Sequence, residues 1–172
     1  MPNILLVGNG AREHAMAETI SRSKQNPVLY AFMKANNPGI ASLSEKTQLG
    51  SYSDLAAITA FATENKIEFA VIGPEEPLGN GVVDELAKCG IPAVGPNQSL
   101  ARLETSKSFT RNLVSKYNIP GNPQFKVFTS MDGVETFLNA LEGAVIKPDG
   151  LTGGKGVLVQ GDHFATKDEA LK

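Results

Sequence analysis

From Ile4 to Val7 the chain is apolar without a break, and it then stops on Gly8-Asn9-Gly10, after which helix-forming residues follow. An apolar stretch this short, with no polar alternation, fits a strand covered on both faces, as in a parallel sheet. The glycines let the backbone turn tightly and approach a ligand. A helix starting there adds unpaired N–H groups and a positive dipole end. The opening therefore predicts a strand–turn–helix unit. Its loop either seats an anion, a phosphate foremost, or is only a tight turn.

The pattern recurs. A helix is expected over Glu13–Ser21, with Ala15, Met16 and Ile20 on its buried face, and a strand over Pro27–Phe32. Asn36-Asn37-Pro38-Gly39 is turn chemistry. Ser53 and Asp54 open a helix through Leu55, Ile58, Phe61 and Ala62. Phe69–Ile72 is a buried strand stopped by Gly73-Pro74. Gly81–Cys89 is helical with Gly90 just past its end, and Ile91–Val94 is another strand. Strands alternating with helices define a Rossmann-like α/β fold on a parallel sheet with right-handed crossovers. Ligands bind such sheets at the strands' C-terminal ends. The loops Gly8-Asn9-Gly10, Gly73-Pro74-Glu75 and Gly95-Pro96-Asn97 should thus share one rim.

The pattern changes near residue 97. Helices are expected around Ser99–Leu103 and Ser106–Tyr117, then a linker at Asn118–Pro123. Beyond it come a strand (Phe125–Phe128), a helix (Met131–Leu141), a strand (Ala144–Lys147), a glycine-rich loop (Asp149–Gly156) and a strand (Val157–Gln160). Thr166-Lys167-Asp168-Glu169 has the spacing of a capping box, and the chain stops three residues into that helix. A helix needs more length than this, so Lys172 is expected to be a cut in a longer protein.

A net charge of −2 with no basic block argues against nucleic acid held by backbone electrostatics. No apolar run approaches the roughly 20 residues that span a bilayer, and no leader is visible, so no membrane partner and a cytoplasmic location are expected. The lone Cys89 makes no internal disulfide. With two distant histidines it makes no metal site.

Three segments carry candidate chemistry. In Gly8-Asn9-Gly10-Ala11-Arg12-Glu13-His14, the third glycine of a dinucleotide fingerprint is replaced by Glu13. The acid expected after the second strand is also missing, so an NAD site is disfavoured. In Gly73-Pro74-Glu75-Glu76-Pro77-Leu78, a carboxylate at a strand end either accepts hydrogen bonds from sugar hydroxyls or an amine, or is a solvated turn. Lys147-Pro148-Asp149-Gly150-Leu151-Thr152-Gly153-Gly154-Lys155-Gly156 lies between strands and lacks the Walker A spacing. It is either a hairpin lid closing over a polyphosphate or a flexible hairpin with incidental lysines.

Together these strings resemble the phosphoribosylamine–glycine ligase (glycinamide ribonucleotide synthetase) family of the ATP-grasp superfamily. The family's G-N-G-x-R-E-H-A stands at Gly8–Ala15 and its G-P-E-x-P-L at Gly73–Leu78, followed by G-V-V-D at Gly81–Asp84. Its G-P segment stands at Gly95-Pro96, its L-E-x-S-K-x-F at Leu103–Phe109 and its lid I-K-x-D-G-L-x-x-G-K-G-V at Ile146–Val157. The resemblance implies a pre-ATP-grasp substrate-binding domain at 1–97, a helical linker at 98–120 and a partial lid subdomain at 121–172. It implies ligation of glycine to 5-phosphoribosylamine through glycyl phosphate, giving glycinamide ribonucleotide, ADP and phosphate. Asn9, Gly10 and Arg12 would hold the 5-phosphate, and Glu75 the ribose. Lys107 and Lys147 would contact ATP phosphates under a lid containing Gly150, Gly153, Gly154, Lys155 and Gly156. The Mg2+ or Mn2+ ligands belong to the family's later half, which these residues do not include. No residue here matches a catalytic nucleophile or base. The full-length protein is expected to be a monomer, and the fragment inactive.

There are departures. Ala31–Gly39 replaces the A-P-G-N-x-G common after the second strand, and Pro148 replaces an alanine in the lid. Two other readings are another purine-pathway ATP-grasp ligase and a free-standing nucleotide- or ribose-phosphate-binding module. The R-E-H-A and G-P-E-x-P-L strings argue against the first.

Overall fold

The computed structural model describes residues 1–171. Lys172, the last residue of the expected lid portion, lies outside the described residues. The chain divides into two compact units, Met1–Thr105 and Ser106–Lys172.

The first unit is built on a five-stranded parallel sheet: β1 (Asn3–Val7), β2 (Val28–Met33), β3 (Lys46–Leu49), β4 (Phe69–Ile72) and β5 (Ala93–Val94), in the order β3-β2-β1-β4-β5. β1 is central, with Leu5 paired to Tyr30 on one side and Ala70 on the other. Its side chains alternate between two cores, as pleating requires. Leu5 and Val7 join Phe32, Ile58, Phe61, Val82 and Leu86. This core lies under α3 (Leu55–Glu64) and α5 (Val82–Lys88). Leu6 joins Ala17, Leu29, Ala31, Met33 and Ile40, under α1 (Ala11–Ser21) and α2 (Pro38–Leu43). Helices on both faces explain why β1 has no polar residue from Ile4 onward.

Chain order reverses between β1 and β4. Their C-terminal ends, at Gly8 and Gly73, therefore flank the crevice where ligands bind open α/β sheets.

Several expectations need correction. α1 starts at Ala11 rather than Glu13, and its buried face uses Ala17 with Met16 and Ile20, while Ala15 is exposed. The expected turn at Asn37-Pro38-Gly39 opens α2, with Pro38 in the first turn where its missing N–H costs nothing. Glu75-Glu76-Pro77-Leu78 is also helix, α4 (Glu75–Asn80), and Pro77 again falls in the first turn. β3 went unforeseen because it is an edge strand with a polar, largely exposed sequence. The expected helices near residues 99 and 106 are α6 (Gln98–Thr105) and α7 (Lys107–Lys116).

In the second unit the expected strand at Phe125–Phe128 does not form. Phe128 packs its ring against Phe137 instead, centroids 5.9 Å apart. The expected helix at Met131–Leu141 shortens to α8 (Val134–Asn139), because Gly133 adopts φ 75° and starts it late. β6 (Val145–Ile146) and β7 (Leu158–Val159) pair antiparallel and bracket the glycine-rich loop. Leu138, Ala144 and Phe164 form a small core. The capping box forms at Thr166: Thr166 N–H donates to Glu169 Oε2 at 3.4 Å, as Ala165 N–H does at 2.7 Å, and Glu169 N–H donates to Thr166 Oγ1 at 3.3 Å. The turn that follows, Glu169–Leu171, is 3-10 helical.

Phe61 is 1% exposed and meets Tyr30 and Phe32 edge-on. Phe61→Ala should destabilise the first unit by about 3–5 kcal/mol, seen as a lower urea midpoint.

Candidate functional site

The rim of the first unit is organised by Glu13, in the first turn of α1. Its side chain folds back so that Oε2 accepts from the Gly10 N–H at 2.6 Å, and the residue is 3% exposed. A Cβ at Gly8 would lie 2.3 Å from Glu13 Cγ, and so would one at Gly73. Both loops at the crevice are thus glycine where the Glu13 side chain passes. In the sequence Glu13 stands where a dinucleotide fingerprint has its third glycine, opens the expected helix and belongs to the R-E-H-A string. The available signal was its place three residues after the helix cap, the acidic half of a capping box. Its Oε1 is buried with no hydrogen-bond partner among the described residues.

Further bonds close the rim. Gly8 N–H donates to Phe32 O and Gly73 N–H to Val7 O, each at 3.0 Å. Asn37 works in two directions. Its Oδ1 accepts from Gly39 and Ile40 at the start of α2, and its Nδ2 donates to Asn9 O at 3.0 Å. Tyr52 donates from its hydroxyl to Asn9 Oδ1 at 2.6 Å. Burial, foremost, pushes the Tyr52 phenol up. A Lys34 backbone hydrogen bond opposes this, and the Glu13 and Glu76 charges add to it.

The Asn9 carbonyl, the Asn9 side-chain oxygen and the Gly10 carbonyl each accept from the protein, and the loop still offers donors. These are the Asn9 Nδ2 group and the first-turn N–H groups of α1. Such a set suits an acceptor-rich anion.

Arg12 and Glu75 meet across the crevice at 3.5 Å, with the Arg12 side chain 75% exposed. Lys34 pairs with Glu76 at 2.9 Å. The structure therefore brings Asn9, Gly10, Arg12 and Glu75 to one rim. Beside Glu75 runs a groove of about 280 Å³ lined by Leu78, Pro96, Leu100 and Leu103.

In the second unit the root of the glycine loop is clasped to the start of α7. Lys107 Nζ donates to Gly150 O at 2.6 Å. Asp149 accepts from the Ser108 N–H at 3.1 Å, from the Ser108 hydroxyl and from the Ser106 hydroxyl at 3.2 Å. The Ser108 hydroxyl and then its N–H hold the Asp149 carboxyl well down, to about 2; burial opposes this, and Gly150 and Ser106 help. Beyond the clasp, Gly153 and Gly154 have φ of 58° and 78° with open space where a Cβ would sit. These glycines serve backbone conformation rather than packing. Lys147, Lys155 and Gly156 are exposed. Among the described residues there is no cluster of His, Cys, Asp or Glu able to hold a metal ion, so no chemistry is assigned to a metal here.

The first unit is a doubly wound sheet with its loops gathered at the switch point, and the second carries a glycine-rich hairpin. The family model for the N domain of phosphoribosylglycinamide synthetase matches residues 2–104, and that for its ATP-grasp (A) domain matches 105–172. The chain belongs to the phosphoribosylglycinamide synthetase family. It is 48% identical over 168 residues to a phosphoribosylamine–glycine ligase of Methanobrevibacter smithii, covering 97% of this chain and 38% of that protein. The corresponding Methanopyrus kandleri protein is 47% identical over 172 residues, covering 99% and 38%. The chain thus spans just over a third of these relatives.

Solved structures give the same fold. N5-carboxyaminoimidazole ribonucleotide synthetase from Thermotoga maritima superposes with a TM-score of 0.72 at 15% identity, covering 100% of this chain and 43% of that one. Phosphoribosylglycinamide synthetase from Anaerococcus prevotii gives 0.63 at 13%, covering 99% and 40%.

The Asp149 clasp has a pH signature. Its folded value, about 2, lies below the ordinary aspartate value of about 3.9. Its contribution is therefore complete above about pH 4 and is lost as pH falls toward 2. Amide exchange of Gly150–Gly156 should quicken, relative to the intrinsic rate, over that window. Asp149→Asn should already show the faster exchange at neutral pH.

Proposed function

We propose that this chain is the front portion of an ATP-dependent ligase that joins glycine to 5-phosphoribosylamine. The observation that carries the reading is the donors left at Asn9 Nδ2 and in the first turn of α1, set beside the Arg12–Glu75 pair at the sheet's switch point. The loop donors and the Arg12 guanidinium take the 5-phosphate. Glu75, held within reach of Arg12, accepts from the ribose hydroxyls. Recognition of an anion by local donors fits a chain whose net charge is −2.

Residues 1–97 serve as the substrate-binding domain, 98–120 as a helical linker and 121–172 as part of the lid. Lys107, Lys147 and the loop residues Gly150, Gly153, Gly154, Lys155 and Gly156 meet the ATP phosphates. The glycine carboxylate attacks the γ-phosphorus and ADP leaves. The amine of phosphoribosylamine then attacks the glycyl carbonyl carbon, phosphate leaves, and the nitrogen gives up a proton. Positioning and charge neutralisation supply most of the rate, as in other phosphoryl transfers. Mg2+ or Mn2+ would be held by residues in the length of the relatives that this chain does not span. The full-length protein acts as a cytoplasmic monomer on small molecules. No helix among the described residues is long and apolar enough to cross a membrane.

Arg12→Ala should weaken binding of ribose 5-phosphates by about tenfold, the scale of one charge-assisted hydrogen bond; unchanged affinity by calorimetry would contradict the phosphate seat. The isolated 172-residue chain should form no glycinamide ribonucleotide from ATP, glycine and phosphoribosylamine. Product detected by mass spectrometry would overturn that.

A further inference from the structure

Asn9 is useful to a phosphate only if its amide points the right way round. A side-chain amide is a donor at one end and an acceptor at the other. Presented backwards, it sets an oxygen against the ligand's oxygens. Two residues remote in sequence fix its orientation. Asn37 Nδ2 holds the Asn9 main-chain carbonyl at 3.0 Å. Tyr52, in the turn between β3 and α3, holds the side-chain oxygen at 2.6 Å. Tyr52 is 3% exposed and packed in the core beneath α3 and α5, so its ring has no freedom to follow a rotating amide. Burial also keeps its hydroxyl protonated, so it acts as a donor toward Asn9. Only the Asn9 end of this contact is conspicuous in sequence: Tyr52 sits among small polar residues (Gly50-Ser51-Tyr52-Ser53) and carries no motif.

We infer that Tyr52 is a positioning residue for substrate binding: it consumes the acceptor end of the Asn9 amide and so turns Nδ2 toward the oxygens of an anionic ligand at the rim. The inference rests on the phosphate-seat reading above. In this role Tyr52 acts through Asn9.

The test is a double-mutant cycle in the full-length protein, reading KM for phosphoribosylamine and for ATP. Tyr52→Phe keeps the ring and its packing and removes the hydroxyl, with its bonds to Asn9 and to the Lys34 backbone. It should raise KM for phosphoribosylamine by roughly 3–10-fold, the worth of one hydrogen bond, with kcat and the KM for ATP little changed. Asn9→Ala should raise the same KM at least as much. In the Asn9→Ala background, Tyr52→Phe should add nothing, because the residue it acts through is gone. A purely structural role would give equal factors in both backgrounds, or would move the KM for ATP as well. Either result overturns the inference, as does an unchanged KM in Tyr52→Phe. If Asn9→Ala itself leaves the KM for phosphoribosylamine unchanged, the phosphate seat falls and this inference with it. If Asn9→Ala raises it and Tyr52→Phe does not, only the role of Tyr52 falls.

Discussion

The hydrogen bond from the Gly10 N–H to the buried carboxylate of Glu13 closes the N-terminal cap of α1, three residues past the end of β1. The stem of the same side chain fills the space left by Gly8 and Gly73. One residue thereby sets the separation of the two loops that flank the switch point, and any side chain at either glycine would force them apart. The arrangement is costly, since Glu13 Oε1 is buried unpaired and an unsatisfied buried polar group costs about 1–3 kcal/mol. Two apolar cores packed on either face of β1 provide the surplus that carries it.

Around that fixed point the hydrogen-bonding capacity of the rim is almost entirely allocated. Asn37 and Tyr52 take up acceptors of the loop, and Arg12 and Lys34 are each paired with a carboxylate across the crevice. The loop keeps the Asn9 Nδ2 group and the first-turn N–H groups of α1 as donors. This is how a slightly acidic chain can present a local site for an anion without a basic patch: direction of N–H groups substitutes for net charge.

Glycine does different work in the two units. At Gly8 and Gly73 it admits a neighbouring side chain. At Gly153 and Gly154 there is open space, and the positive φ alone calls for glycine. Close approach belongs to a rigid rim. Left-handed backbone without packing belongs to a loop that is held at its root, by Ser106, Lys107 and Ser108 on Asp149 and Gly150, with a Lys155 N–H to Thr152 O turn bond closing over Gly153-Gly154. A fixed seat for one substrate and a tethered hairpin for a polyphosphate call for these two uses.

The sequence by itself determined the parallel sheet, because unbroken apolar runs at Ile4–Val7 and Phe69–Ile72 have no other home than a strand covered on both faces. It also determined α3, α5 and the hairpin around the glycine loop, through helical periodicity and local turn chemistry. It marked Asn9, Gly10, Arg12 and Glu75 as candidates through the motifs they sit in. The prolines of α2 and α4 misled, since a proline in a helix's first turn and one in a loop look alike over four residues. The exposed edge strand β3 left no apolar trace. Only the tertiary structure decided the strand order, hence the crevice, and with it the convergence of Glu13 on Gly73 and of Tyr52 on Asn9. These contacts join residues 43 to 60 positions apart, and their existence depends on which strands are neighbours. Strand order is set by the packing of helices on both faces of the sheet, a non-local balance that no short window of sequence contains.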